Sequence, residues 1–229
     1  MAGVGLRVAL GFTVMLAGCS DGVRGASTQS TARGTPSVQV MSKSFTISGP
    51  RGFCIDEAAM RETAAGAFVM LGSCAAISGN NRDAKPRIPA VLTASVAAAE
   101  TPLDDAGLDR LAAFFATDEG RSTLARSEDA EEVVVLELSR DDNLVLVHAR
   151  DGARAGDMAG DYWRGVFSLA GQLVTVTVAG FRAAPLDETA GTKLARDFAE
   201  AIRRANRAPS ERTAVGGGGG LAAFFNRLL

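Results

Sequence analysis

Apolar and polar positions fall into two periods along this chain, and the switches between them mark its elements. Phe45-Thr46-Ile47-Ser48 alternates and predicts a strand ended by Gly49-Pro50. Gly52-Phe53-Cys54-Ile55 predicts a second short extended piece, and Asp56 is placed to cap a helical turn over Glu57 to Thr63. Ala67 to Leu71 is a compact apolar run that predicts a buried strand ending at Gly72. A loop follows from Gly79 through Pro86 and Pro89, and Val91 to Val96 alternates again.

The period then lengthens. Leu108, Leu111, Ala112 and Phe115 lie on one helical face, with Asp104 or Asp105 as the cap. Asp118 begins a second short helix carrying Leu124. Glu132 to Ser139 and Leu144 to Arg150 form a hairpin around Arg140-Asp141-Asp142-Asn143. A polar loop over residues 151–161 leads to a second hairpin, Trp163 to Leu169 and Leu173 to Ala179, around Ala170-Gly171-Gln172. Val174, Val176 and Val178 share one face of its last strand, and Thr175 and Thr177 share a wetter one. Asp187 caps a final helix in which Leu194, Phe198 and Ile202 recur every four residues. Arg203, Arg204 and Arg207 suit its C-terminal dipole, and Pro209 stops it. The fold class expected is α+β: a mainly antiparallel sheet of two hairpins plus N-terminal strands, with helices packed on it, as in an α/β sandwich.

The start of the chain carries a different signal. Arg7 precedes the apolar run Val8 to Leu16, which is about half the ~20 residues a helix needs to cross a bilayer. A secretory leader fits that length better than a permanent anchor. Leu16-Ala17-Gly18-Cys19 resembles a lipobox, the cleavage motif of bacterial lipoprotein precursors. The resemblance implies removal of residues 1–18 and acyl chains on Cys19. It also implies membrane attachment by two or three chains, since one chain anchors only marginally. Ser20 next to the cysteine implies sorting to the outer membrane rather than the inner one.

Three cysteines are an odd number for an exported protein. With Cys19 lipidated, Cys54 and Cys74 remain as a pair, and a structural disulfide between them is favoured over a metal site. The expected map is a leader at 1–18, a Ser/Thr/Gly-rich tether at 19–43, one domain at 44–207, and a tail at 208–229. Fully extended, the tether reaches on the order of 70–80 Å. The tail contains five glycines, Gly216 to Gly220, and then an apolar end whose Leu221, Phe224, Phe225, Leu228 and Leu229 are candidate partner contacts. Its Leu-Ala-Ala-Phe-Phe repeats residues 111–115, without wider similarity.

Net charge of −2 and few aromatics, one Trp and one Tyr among them, disfavour a nucleic-acid partner. The lone histidine, His148, sits in a strand pattern and reads as a packed strand residue before it reads as a base or ligand. No Gly-x-Ser-x-Gly elbow supports a triad of Ser73, His148 and Asp161. Asp104-Asp105 and Asp141-Asp142 are explained by capping and turn formation before cation binding. Tyr162, Trp163 and Phe167 beside the polar loop are candidate ligand contacts, and more simply core. No cofactor and no metal are expected.

The pattern Phe45 to Asp56 followed by Ala67 to Cys74 resembles a group of alphaproteobacterial envelope lipoproteins, over about residues 44–206. Some chains of that group carry a cation-transport ATPase label. The Asp-Lys-Thr-Gly-Thr phosphorylation motif such an activity requires is absent from this sequence. The order of strands with a closing helix is also similar to the sandwich of photosystem II accessory proteins, a likeness of architecture alone. The expected function is therefore a lipid-anchored, non-enzymatic accessory or binding module facing the periplasm. The rival is a periplasmic, hydrolase-like enzyme with a dispersed site.

Overall fold

A computed structural model describes residues 34–99, 103–127, 129–153 and 156–207. The expected leader, Cys19 and the C-terminal tail lie outside these residues. Nine strands and four helices run in the order β1 (Ser37–Val40), β2 (Phe45–Ser48), β3 (Phe53–Thr63), β4 (Gly66–Ser73), α1 (Cys74–Ser78), β5 (Val91–Ala98), α2 (Asp105–Phe115), α3 (Asp118–Leu124), β6 (Val133–Asp141), β7 (Leu144–Asp151), β8 (Met158–Leu169), β9 (Gln172–Phe181) and α4 (Glu188–Asn206). Seven strands form one antiparallel sheet, ordered β3-β4-β5-β9-β8-β7-β6, and β1 pairs with β2 apart from it. The α+β expectation holds.

Strand periodicity gives the sheet two faces. The first presents Ile55, Leu71, Leu92, Val178, Trp163 and Leu146 to the β1–β2 hairpin and α4. Phe198 and Ile202 of α4 are fully buried there, with Phe45 and Ile47 of β2 beside them. The second presents Val145, Val147, Tyr162 and Val166 to Leu108 and Phe115 of α2 and Leu124 of α3. Strands β7 and β8 are thus covered on both sides, which explains their near-continuous apolar runs.

Caps fix the helices on these faces. Asp104 Oδ1 accepts from Gly107 N, Thr117 Oγ1 from Gly120 N and Asp187 Oδ1 from Ala190 N. At the far end of α4, Asn206 pairs with both backbone groups of Thr46, at 2.9 and 2.7 Å. That pairing ties the helix terminus to β2.

Three local expectations change. Residues 37–43, assigned to the tether, form β1 and its turn, because Val38 and Val40 pair with Ile47 and Phe45. Glu57 to Thr63 continues β3 across a bulge instead of turning helical. Asp56 Oδ1 accepts from Ala58 N and Ala59 N, and this local turn absorbs the residues between the two registers. The single turn α1 breaks the stretch before the 79–89 loop, ending at Gly79 in the left-handed region (φ 66°).

Candidate functional site

Two polar clusters are built into opposite faces of β7 and β8. On the first face, His148 pairs across the sheet with Trp163, and the two rings stack at 4.3 Å and 13°. Trp163 is fully buried under Gly191 of α4, and His148 is 7% exposed. Asp161 Oδ2 stands 3.5 Å from His148 Nε2, too long for a well-formed hydrogen bond, so both imidazole nitrogens are buried without a partner. Arg150 engages both oxygens of Asp161. Its guanidinium holds the Asp161 carboxyl below the usual carboxylate range, against the opposing effect of partial burial. Ser73 stands at the end of β4 in register with Phe53, so the residues of the hypothetical triad come from three strands.

On the second face, Tyr162 points away from Trp163 and donates its hydroxyl to the carbonyl oxygen of Leu124 at 2.7 Å. Two guanidinium groups lie over its ring, Arg126 at 5.6 Å and Arg164 at 5.4 Å. Asp151, 2% exposed, accepts from the backbone N–H groups of Arg126 and Ala153, at 2.8 and 2.7 Å. It thereby pins the loops on either side of Arg126. Arg164 donates from Nη1 to the carbonyl oxygen of Thr123, and its Nε is buried with no partner. Burial pushes both the Tyr162 hydroxyl pKa up and the Arg164 guanidinium pKa down.

Beside Arg164 the second face is open. Helices α2 and α3 cover β6, β7 and β8, and α1 packs at the β3–β4 end. The sheet register aligns Arg164, Thr177, Thr93 and Met70 in one row. Val166, Thr175, Ser95 and Phe68 form the next. The three threonines are half-buried and Ser95 is exposed.

The remaining candidates are scattered. Cys54 and Cys74 form a disulfide, their Cα atoms 4.7 Å apart. It borders a cleft of about 370 Å³ lined also by Gly34, Pro36, Pro50, Phe53 and Asp83, whose Oδ2 is buried without a partner. Asp104 caps α2 and Asp105 pairs with Arg140. Asp141 pairs with Arg196, and Asp142 occupies the β6–β7 turn at φ 46°. Tyr162 is separated from Trp163 and Phe167 by the sheet itself, so the aromatic trio does not converge. Cys19 and the apolar tail residues Leu221, Phe224, Phe225, Leu228 and Leu229 lie outside the described residues. Among the described residues no helix is long and apolar enough to cross a membrane, and no three His, Cys, Asp or Glu side chains gather as metal ligands.

Arg164 is the residue that pattern reading missed. Its signal was present: a charged side chain between Tyr162 and Val166, on the parity that faces α2 and α3. Comparison with protein-family models, with curated proteins and with solved structures returns no match.

Proposed function

We propose that this chain is a lipid-anchored protein of the cell envelope that acts as a non-enzymatic accessory or binding module. Acyl chains on Cys19 hold it, at the outer membrane in preference to the inner one, with the domain facing the periplasm. The observation that supports this address is the Cys54–Cys74 disulfide. A disulfide of this kind belongs to an oxidising compartment, and it leaves Cys19 as the unpaired cysteine of the three. The second sheet face beyond α2 and α3 supports the binding role, because it offers the half-buried Thr93, Thr175 and Thr177 and the exposed Ser95.

Mass spectrometry of the native N-terminus tests the address. The expected mature chain begins at Cys19 and carries a diacylglyceryl thioether and an N-acyl group. Cys19→Ala is expected to lose that modification and membrane attachment together. An unmodified N-terminal peptide, or a mature start elsewhere, would overturn the reading. The binding role is tested by affinity recovery from detergent-solubilised envelopes, using the whole chain and a chain lacking residues 216–229. A partner recovered only by the whole chain assigns the contact to the apolar tail, and one recovered by both assigns it to the domain. Recovery of no specific partner by either chain counts against the module.

One observation favours the enzymatic rival: Asp161 orients toward His148 from the neighbouring strand. Hydrolysis of an ester panel that vanishes in His148→Gln would establish that reading in place of the module.

A further inference from the structure

We infer that Arg164 and the hydroxyl patch beside it form a binding site for a small hydroxylated organic anion, its carboxylate or phosphate seated on the guanidinium. The inference rests on the binding-module reading and names the ligand class for its open face.

The argument starts from the state of Arg164. A guanidinium carries five N–H donors in a planar fork that matches an oxyanion. Among the described residues one hydrogen bond uses that fork, from Nη1 to the Thr123 carbonyl oxygen, while Nε is buried and unpaired. No described carboxylate lies within ion-pair distance. The nearby acid, Asp151, is already engaged by two backbone N–H groups and by Arg126 Nη1 at 3.9 Å. Among the described residues, Arg126 and Arg164 over one Tyr162 ring therefore face a single carboxylate, Asp151. A partly desolvated charge without a counter-ion is costly, and an arriving oxyanion removes that cost.

The neighbours specify what accompanies the oxyanion. Thr177 is the direct cross-strand partner of Arg164, and Thr93 is the partner of Thr177. Thr175 and Ser95 stand in the adjoining row. Four hydroxyl-bearing residues thus form a two-by-two patch on neighbouring strands β9 and β5, beside the strand position of Arg164. With strands about 4.8 Å apart, the backbone of Arg164 stands about 10 Å from that of Thr93, a span that one acidic sugar or sugar phosphate bridges. Each hydroxyl donates and accepts, so the patch suits the hydroxyls of such a body. Met70 and Phe68 close its far side with apolar surface.

The test titrates the mature full chain carrying Cys19→Ser with glucuronate and with glucose 1-phosphate. The Arg164 Nε–H and the Thr93 and Thr177 amides are followed by ¹⁵N NMR. Both anions are expected to shift these signals saturably. Glucose and sodium chloride at matched ionic strength are expected not to. Inorganic phosphate separates head from body: weaker binding than glucose 1-phosphate is expected, and equal binding would overturn the role of the hydroxyl patch. Arg164→Gln is expected to weaken binding about tenfold or more, the scale of a charge-assisted hydrogen bond. That variant also loses the Thr123 contact, so the pair Thr93→Val and Thr177→Val, which keeps shape and charge, supplies the second reading and is expected to weaken the sugar anions but not phosphate. The absence of any saturable shift, or one that survives Arg164→Gln in folded protein, would overturn the site. Such a failure, with lipid found on Cys19 and a partner recovered from envelopes, removes the ligand and leaves the module standing.

Discussion

His148 and Trp163 are the lone histidine and the lone tryptophan of the chain, and they lie ring against ring. Stacking makes the imidazole part of the wall around the indole. His148→Ala is therefore expected to open that wall and move Trp163 emission to longer wavelength, and an unchanged spectrum would show that the imidazole does not shield the indole. Asp161 carries a pH dependence of stability. Its pKa is depressed in the fold by Arg150, so the stability it contributes is complete above the unfolded value of about 4. That contribution is lost as pH falls through the lower folded value. Asp161→Asn is expected to lower the thermal midpoint at neutral pH, with the gap to wild type closing in acid. At this scale the sequence disclosed that His148 lies in a strand, and it concealed what His148 touches. Its neighbours Trp163 and Asp161 come from β8, and no local spacing announces them. Arg164 was legible as a polar intrusion on an apolar parity, but its meaning depended on learning which strands the helices leave uncovered.

Periodicity found most of the elements, and it failed where a local polar contact overrode it. The Asp56 turn reads as a helix cap in sequence because the same side-chain-to-backbone hydrogen bond serves a cap and a bulge. A five-residue helix such as α1 is too short to show a period at all. Close packing between elements leaves a different mark. A Cβ on Gly191 would lie 2.3 Å from the fully buried Trp163 ring. In an exposed helix Gly to Ala gains about 1 kcal/mol, whereas overpacking a core costs about 1–3 kcal/mol. The contact is with a rigid ring on a central strand, so the second effect wins. Gly191→Ala is expected to destabilise by up to about 2 kcal/mol net and to shift Trp163 emission. Wild-type stability would show that α4 can move off the sheet. The β8–β9 turn predicts the reverse sign. Ala170 and Gly171 both have positive φ, at 51° and 74°, and alanine is the residue that suits this conformation less. Ala170→Gly is expected to stabilise by about 1 kcal/mol, read as a rise in the urea midpoint at unchanged slope.

Across the whole molecule the two sheet faces are unequally covered, and the disulfide sits at the sheet end farther from the helical half of the second face. The first face is covered by α4 and the β1–β2 hairpin from β3 to β7, leaving Val134 of β6 exposed, while α2 and α3 cover the second over β6, β7 and β8. Strand β3 is consequently an edge strand with an open second face, a bulge, and little support beyond β4, β1 and α1. Cys54 on β3 and Cys74 at the start of α1 are joined there, 20 residues apart in sequence. The link closes the β3–β4 hairpin on itself, and in the chain-entropy account a loop of that length contributes about 3 kcal/mol by restricting the unfolded chain. The double substitution Cys54→Ala and Cys74→Ala is therefore expected to lower unfolding stability by about 3 kcal/mol. Hydrogen exchange is expected to rise first in β3 and α1, because the link joins these two elements directly and β3 is an edge strand paired on one side only. Wild-type protein unfolded in reductant should match the double variant, since both release the same loop. Equal stability with and without the link would mean that the edge is held by packing alone. The argument from disulfide to oxidising compartment would then lose its energetic basis, although the pair could still form.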